Sequence, residues 1–66
     1  STPTIELASQ ILSEEDFKIV MLYAVGEYKH REIADMMHLP LGTVTYKYSM
    51  ALKKLQKALK SKEVNH

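Results

Sequence analysis

The feature that most constrains the fold is a long amphipathic pattern that begins after the turn residue Gly42. At about 100° per residue, seven mostly apolar side chains between positions 44 and 59 fall on one side of a helix. The pattern predicts a helix that begins between Pro40 and Thr43 and runs to about Lys60, with one side buried and one exposed. The exposed side carries five lysines, no acid and three uncharged residues: Thr43, Tyr46, Lys47, Met50, Lys53, Lys54, Lys57 and Lys60.

Length and composition place this helix in a small all-α domain of three to four helices. The chain has 66 residues and no cysteine, so neither disulfides nor a thiolate-bound metal can stabilise it. A chain of this size buries about 60% of its unfolded surface, so helix packing must supply the stability. No apolar run approaches the roughly 20 residues of a membrane span. We therefore expect one domain over residues 1–66, with no membrane partner. The absence of cysteine also fits a reducing compartment, and we expect the domain to be cytoplasmic.

Two further helices are expected in the first part of the chain. The helical spacing of Ile5, Ala8 and Leu12 predicts a short helix at about 4–11. Ser13 is a good N-cap, because its hydroxyl can accept a hydrogen bond from a free backbone N–H. The acids that follow it in "SEED" suit the positive end of a helix dipole. A second helix should therefore start here and end at Gly26.

The segment from Phe17 to Val25 is almost wholly apolar, which predicts that the second helix forms the centre of the core. One stripe on this helix is expected to pack inward, and three more apolar side chains widen it: Phe17, Val20, Met21 and Ala24, with Ile19, Leu22 and Tyr23 beside them. A third helix at about 30–38 would face Ile33, Ala34 and Met37 toward it. Residues 61–66 are expected to fray at the end of the last helix.

Charge is distributed unevenly along the chain. Residues 1–29 hold two lysines and five acids, which gives −3, whereas residues 30–66 hold seven basic residues and three acids, which gives +4. No acid occurs between Asp35 and Glu63. This asymmetry indicates that one part of the surface meets an anionic partner.

A short helix, a turn of about four residues and a longer amphipathic helix form a helix-turn-helix. The second helix of that motif enters the major groove, where its first residues contact base edges and flanking lysines bind phosphates. Tyr46 and Met50 would then contact a thymine methyl group, and Thr43 a base or a phosphate. The residues expected to bind double-stranded DNA are Thr43, Thr45, Tyr46, Lys47, Met50, Lys53, Lys54 and Lys57.

Three segments carry a family resemblance: "REIA" at 31–34, "LPLGTV" at 39–44 and "ALKKL" at 51–55. With the sequence around them, from about residue 12 to residue 59, they resemble region 4 of the sigma-70 family, and most closely its extracytoplasmic-function group. The resemblance implies binding of the minus-35 promoter element through the last helix. It also implies docking of the other helices on the flap of the RNA polymerase beta subunit, and an anti-sigma protein as an additional partner. A sigma factor needs a further domain, so we expect a fragment or a truncated relative.

Several positions depart from the family pattern. His38 stands where a turn glycine is usual, and Lys29 stands where a small N-cap residue is usual. Tyr46 replaces a serine, while Lys47, Met50 and Leu52 stand where the family has arginines, so the bidentate arginine–guanine contact cannot form. Two competing functions therefore stay open. One is a protein-interaction domain of this fold with reduced DNA binding, and the second is a LuxR-type effector domain, which shares "EIA" and "GTV".

Four side chains outside the expected core need individual interpretation. Tyr46 and Met50 would lie on the lysine side of the helix, or they would pack against the N-terminal segment or a second subunit. His30 and His38 lie eight residues apart with no cysteine nearby, so no metal site is expected. The sequence pairs no nucleophile with a base at a matched spacing, and we expect neither an enzyme nor a cofactor.

Overall fold

The computed structural model describes residues 2–64, with the side chains of residues 3–61, and this part of the chain forms four helices and no strand. They are α1 (Thr2–Ile11), α2 (Glu14–Ala24), α3 (His30–Met37) and α4 (Leu41–Val64). The expected all-α class is confirmed. Helix α4 continues past Lys60, so the prediction that residues 61–64 fray was wrong, and residues 65 and 66 lie outside the described part.

The first turn of α2 forms as the sequence predicts. Ser13 is the N-cap, with extended backbone angles, and its Oγ accepts a hydrogen bond of 3.1 Å from the Asp16 N–H. Glu14, Glu15 and Asp16 occupy the first turn, where negative charge interacts favourably with the helix dipole. The start of α2 is therefore both capped and acidic, and it lies where it can meet a basic side chain from α4.

The end of α2 differs from the prediction. The helix ends at Ala24, two residues before Gly26, and Glu27 rather than a glycine takes the positive φ of 60°. Gly26 is still required, because there is no room for a side chain at this position. A Cβ at this position would lie 2.8 Å from the Leu22 carbonyl oxygen and 2.9 Å from the Tyr28 ring. The missing side chain thus allows the loop to fold back on the helix.

The turn between α3 and α4 comprises only residues 38–40. His38 has φ 57° and ψ 43°, the left-handed conformation in which glycine is usual. The Leu39 N–H donates to the Ala34 carbonyl at 3.0 Å, and the Pro40 carbonyl accepts from the Val44 N–H at 3.2 Å. The first bond closes α3 and the second opens α4, so the backbone fixes the angle between the two helices.

The N-cap of α3 is Lys29, whose side chain cannot accept a capping hydrogen bond. The reciprocal half of a capping box is present, because the Glu32 carboxylate accepts a 2.8 Å hydrogen bond from the Lys29 N–H. The prediction that Ile33, Ala34 and Met37 face inward is confirmed, with Ile33 fully buried. Lys29 therefore serves as the N-cap of α3 although its side chain makes no capping hydrogen bond.

The core has two clusters, which α4 joins. The α1-side cluster contains Ala8, Leu12, Val20, Ala51 and Leu55. The turn-side cluster contains Ile19, Ile33, Ala34 and Val44, and Tyr48 packs against both clusters. The prediction for α2 was partly wrong: Ala24 is exposed, whereas Ile19, which was expected only to widen the inward stripe, is fully buried. Helix α2 lies between α1 and α3, so two of its sides are covered.

Candidate nucleic-acid interface

The outer strip of α4 is a row of exposed side chains on its first three turns: Thr45, Tyr46, Ser49, Met50 and Lys53. These positions are three or four residues apart, so they are neighbours on one helical surface. Tyr46 is 65% exposed and Met50 is 36% exposed. Both side chains are therefore open to solvent in this chain, and their role in DNA binding stays a prediction, as does the alternative of packing against a second subunit.

Burial on the opposite side of α4 fixes which residues face outward. Val44 is fully buried among residues of α2 and α3, and Ala51, two turns later, is fully buried on the side that faces α1 and α2. Rotation of the helix would expose both of them, at a cost that scales with the apolar area returned to water. The packing of these two residues therefore holds Tyr46 and Met50 in solvent.

The sequence predicted that Lys47 points into open solvent, but in the structure it is paired with two acids of α2. Its ammonium lies 2.9 Å from a carboxylate oxygen of Glu15 and 3.7 Å from one of Asp16, and its side chain is 32% exposed. The hydrogen bond and charge of Glu15, followed by the charge of Asp16, raise the pKa of Lys47 above its usual value. The acids in the first turn of α2 thus pair with the first lysine of α4.

Two features of this surface were not predicted from the sequence. The acids of α2 and Lys47 were identified separately, but their contact depends on how α2 crosses α4, which is a tertiary property. Ser49 was also missed, although it lies between Tyr46 and Lys53 at helical spacing and is exposed. Its position in the same row was the signal that could have identified it.

Thr45 connects the outer strip to α3. Its hydroxyl oxygen lies 3.2 Å from Nδ1 of His30, the first residue of α3. The His30 ring packs against two tyrosines, with centroids 4.7 Å from Tyr23 and 5.1 Å from Tyr48. Burial, followed by the charge of Tyr23, raises the pKa of Tyr48. This aromatic cluster ties the start of α3 to the strip, and His30 acts there as a packing residue.

The remaining candidate residues lie elsewhere. Thr43 is half-buried and stands one turn before Lys47. Lys54 and Lys57 are exposed, but they line a cavity of about 350 Å³ beside Ile11 at the end of α1. The structure therefore brings together Thr45, Tyr46, Met50 and Lys53, and separates them from the rest of the predicted DNA-binding residues.

A second surface, the apolar groove, lies between α1, α2 and the middle of α4. It has a volume of about 290 Å³ and is lined almost entirely by apolar side chains: Ile5, Ala8, Val20, Met21, Ala24, Val25 and Leu55, with Thr4 at its edge. Leu55 is two residues from Lys53, which places it about 200° around α4 from that lysine. The groove and the outer strip therefore face different directions.

Comparison with known families identifies the domain. The sigma-70 region 4 family profile matches residues 4–55, which is most of the chain. The chain belongs to the sigma-70 region 4 family. No curated protein and no solved structure gives a significant match.

Region 4 of sigma-70 is a DNA-binding helix-turn-helix module of sigma factors, so α3 and α4 are the two helices of that motif here. Membership in the sigma-70 region 4 family favours this interpretation over a LuxR-type effector domain. The match begins at residue 4, so α1 is part of the family domain, whereas the resemblance was expected to start at about Leu12. Among the described residues, no helix is long and apolar enough to cross a bilayer.

Proposed function

We propose that this region 4 domain recognises the minus-35 promoter element with the outer strip of α4 and docks on the RNA polymerase beta flap through its remaining helices. The single observation that supports DNA recognition most strongly is the exposure of Tyr46 and Met50 at the start of α4. A helix with large exposed side chains in its first turns, followed by lysines, suits insertion into a major groove between two phosphate backbones.

The electrostatics of α4 support binding to a polyanion. Beyond Lys47, which is paired with Glu15, the helix carries Lys53, Lys54, Lys57 and Lys60 on exposed positions and no acid before Glu63. Each lysine that neutralises a phosphate releases a counterion, so the affinity should fall steeply as salt rises. Function in the cytoplasm follows from the proposal, since promoter DNA and the polymerase are found there.

Docking on the polymerase is proposed for the apolar groove. Val25 is 61% exposed and Ile5 39% exposed at its edge, and exposed apolar side chains around a cavity are typical of protein contact sites. The groove also faces away from the outer strip, so docking leaves the strip free for DNA. An anti-sigma protein would compete for one of these two surfaces. We also propose that the domain acts by binding alone, without catalysis or a cofactor.

A titration of labelled duplex DNA tests the DNA-binding part. Fluorescence anisotropy with a duplex of randomised sequence should show binding at low salt, and the logarithm of the affinity should fall linearly with the logarithm of salt concentration. Lys53→Ala should reduce the magnitude of that slope by about 1, because one phosphate contact is lost. Glu6→Ala, an exposed substitution on α1, is the matched control and should leave the slope unchanged. Absence of binding at low salt would contradict the proposal.

A pull-down with core RNA polymerase tests the docking part separately. Val25→Glu should weaken capture by the polymerase, because it puts a charge at the edge of the apolar groove. Met36→Glu is the matched control, since Met36 is 45% exposed and does not line the groove. Equal capture of both variants and the wild type would contradict docking at this surface.

The second candidate function is a protein-interaction domain that has kept the fold and lost most DNA binding. The observation that favours it is the pairing of Lys47 with Glu15, which occupies the first lysine of a helix that has no arginine. Capture by the polymerase together with no DNA binding at low salt would support this second function over the first.

A further inference from the structure

We infer that the outer strip of α4 selects A·T base pairs by apolar contact with thymine methyl groups, and that it makes no bidentate contact with guanine. The inference rests on the proposed function, because it concerns how the same surface distinguishes DNA sequences. Two observations support the inference. Large side chains are exposed at the start of α4, and several polar groups of the same helix already have partners within the chain.

The exposed groups at the start of the helix are suited to thymine. Tyr46 is 65% exposed, and Met50, one turn later, presents a flexible apolar chain. In the major groove the thymine C5-methyl group is the one apolar feature of a base edge. Two large side chains on adjacent turns can therefore cover methyl groups on neighbouring base pairs.

A cation is the usual partner of guanine, and the one beside Tyr46 on α4, Lys47, is already paired with Glu15. Guanine is usually contacted by arginine or lysine through its O6 and N7 atoms. Helix α4 contains no arginine, and the ammonium of its first lysine, Lys47, lies 2.9 Å from Glu15. The next lysine on the outer strip, Lys53, is seven residues beyond Tyr46, about 10.5 Å farther along the helix axis. Lys53 is thus placed for phosphate.

The hydroxyl groups of the strip do not restore guanine selection. The Thr45 hydroxyl oxygen lies 3.2 Å from the His30 ring nitrogen, so part of its hydrogen-bonding capacity is used within the chain. Ser49 is exposed between Tyr46 and Lys53, and a serine hydroxyl both donates and accepts. Serine therefore tolerates either kind of base pair, and methyl contact remains the discriminating interaction.

Selection from a randomised duplex library tests the inference without assuming a binding site. The bound fraction should converge on a sequence with adjacent A·T pairs. The selected duplex is then synthesised with each thymine replaced in turn by deoxyuridine, which removes the methyl group and keeps base pairing. Replacement at a contacted thymine should weaken binding about fourfold, the effect of one buried methyl-sized group.

Variants assign the effect to residues. Tyr46→Ala or Met50→Ala should remove the penalty at one thymine each, whereas Lys53→Ala should weaken all duplexes and keep the penalty. Met50→Arg should shift the selected sequence toward guanine at one position, because it supplies the bidentate donor that α4 lacks. Circular dichroism checks that each variant is folded, and these exposed positions should tolerate all four substitutions.

Three results would overturn the inference. They are a selected sequence centred on G·C pairs, no penalty at any deoxyuridine, and enrichment of no sequence from a library that the protein binds at low salt. Each of these results leaves DNA binding itself intact. Absence of any binding to the library at low salt is different, because it would overturn the proposed function and the inference together.

Discussion

The two core clusters of the domain are built differently, although α4 contributes to both. The turn-side cluster holds three side chains with no solvent exposure, Ile19, Ile33 and Val44. The α1-side cluster contains smaller residues and several that keep a little exposure, such as Leu12 and Leu55 at 7% each, and it borders the apolar groove. The difference indicates an enclosed half that holds the helix-turn-helix and a half that borders an open groove.

The largest effect should come from the turn-side cluster. Ile33→Ala should lower the free energy of unfolding by about 3–5 kcal/mol, because the site is fully enclosed and leaves a cavity. A domain of this length is expected to have about 3–10 kcal/mol in total, so the variant would be largely unfolded. Urea denaturation followed by circular dichroism measures it. Ile5→Ala, at a 39% exposed position, is the matched control and should cost much less.

A smaller loss is expected in the α1-side cluster. Leu12→Ala should cost about 2–3 kcal/mol, because the neighbouring groove lets the site relax. DNA binding by the folded fraction should be unchanged, since Leu12 holds α1 and not the outer strip. A loss as large as that of Ile33→Ala would contradict the comparison, and the same denaturation experiment decides it.

These two clusters also show how far the sequence could predict the fold. Helical spacing identified the buried side of α4, and the cap at Ser13 predicted the start of α2, because both depend on neighbouring residues. The sequence could not show that Ile19 is buried and Ala24 exposed, since their burial depends on the directions from which α1 and α3 cover α2. The exposure of Tyr46 followed from periodicity, whereas the Lys47–Glu15 contact depends on tertiary structure.

An intermediate effect, of opposite sign, is expected at the turn. His38→Gly should raise the free energy of unfolding by about 1 kcal/mol, because the left-handed conformation at φ 57° is unfavourable for a residue with a Cβ. Thermal unfolding measures the gain. Gly26→Ala is the contrasting variant and should destabilise, since its Cβ would meet the Leu22 carbonyl oxygen at 2.8 Å. A destabilised His38→Gly protein would show that the histidine side chain itself supports the turn.

The smallest change in stability should be seen at alkaline pH, and it involves Tyr48, which packs against both clusters. Burial raises the pKa of Tyr48, and Glu15 raises that of Lys47. A raised folded-state pKa contributes stability that is fully present below the unfolded value and is lost as pH rises through the folded value. For Lys47, stability should therefore fall above about pH 10.5.

Tyr48 changes stability in the same direction over the same range, because its charged form is the deprotonated one, which burial disfavours. The folded chain keeps the Tyr48 phenol neutral, whereas the unfolded chain ionises it above about pH 10.0. Ionisation of the unfolded chain lowers its free energy, so the folded state becomes less favoured as pH rises. Both groups therefore reduce stability as pH rises, although a buried phenol and a paired ammonium give different physical reasons for the loss.

Tyr48→Phe should remove part of this alkaline loss, as measured by denaturation at a series of pH values. Tyr46→Phe is the control, since Tyr46 is 65% exposed and outside both clusters, and it should keep the wild-type pH dependence. Identical curves for Tyr48→Phe and the wild type would mean that the ionisation of Tyr48 is not coupled to folding.

The central claim, that the domain meets DNA with the outer strip of α4, is tested most directly by nuclear magnetic resonance. The isotope-labelled chain is titrated with duplex DNA at low salt, and the shifted backbone amides are mapped. The account predicts that the largest shifts fall on α4 between Thr45 and Lys53, with the amides around Val25 in the apolar groove unchanged. Shifts centred on the groove, or none on the strip, would contradict it.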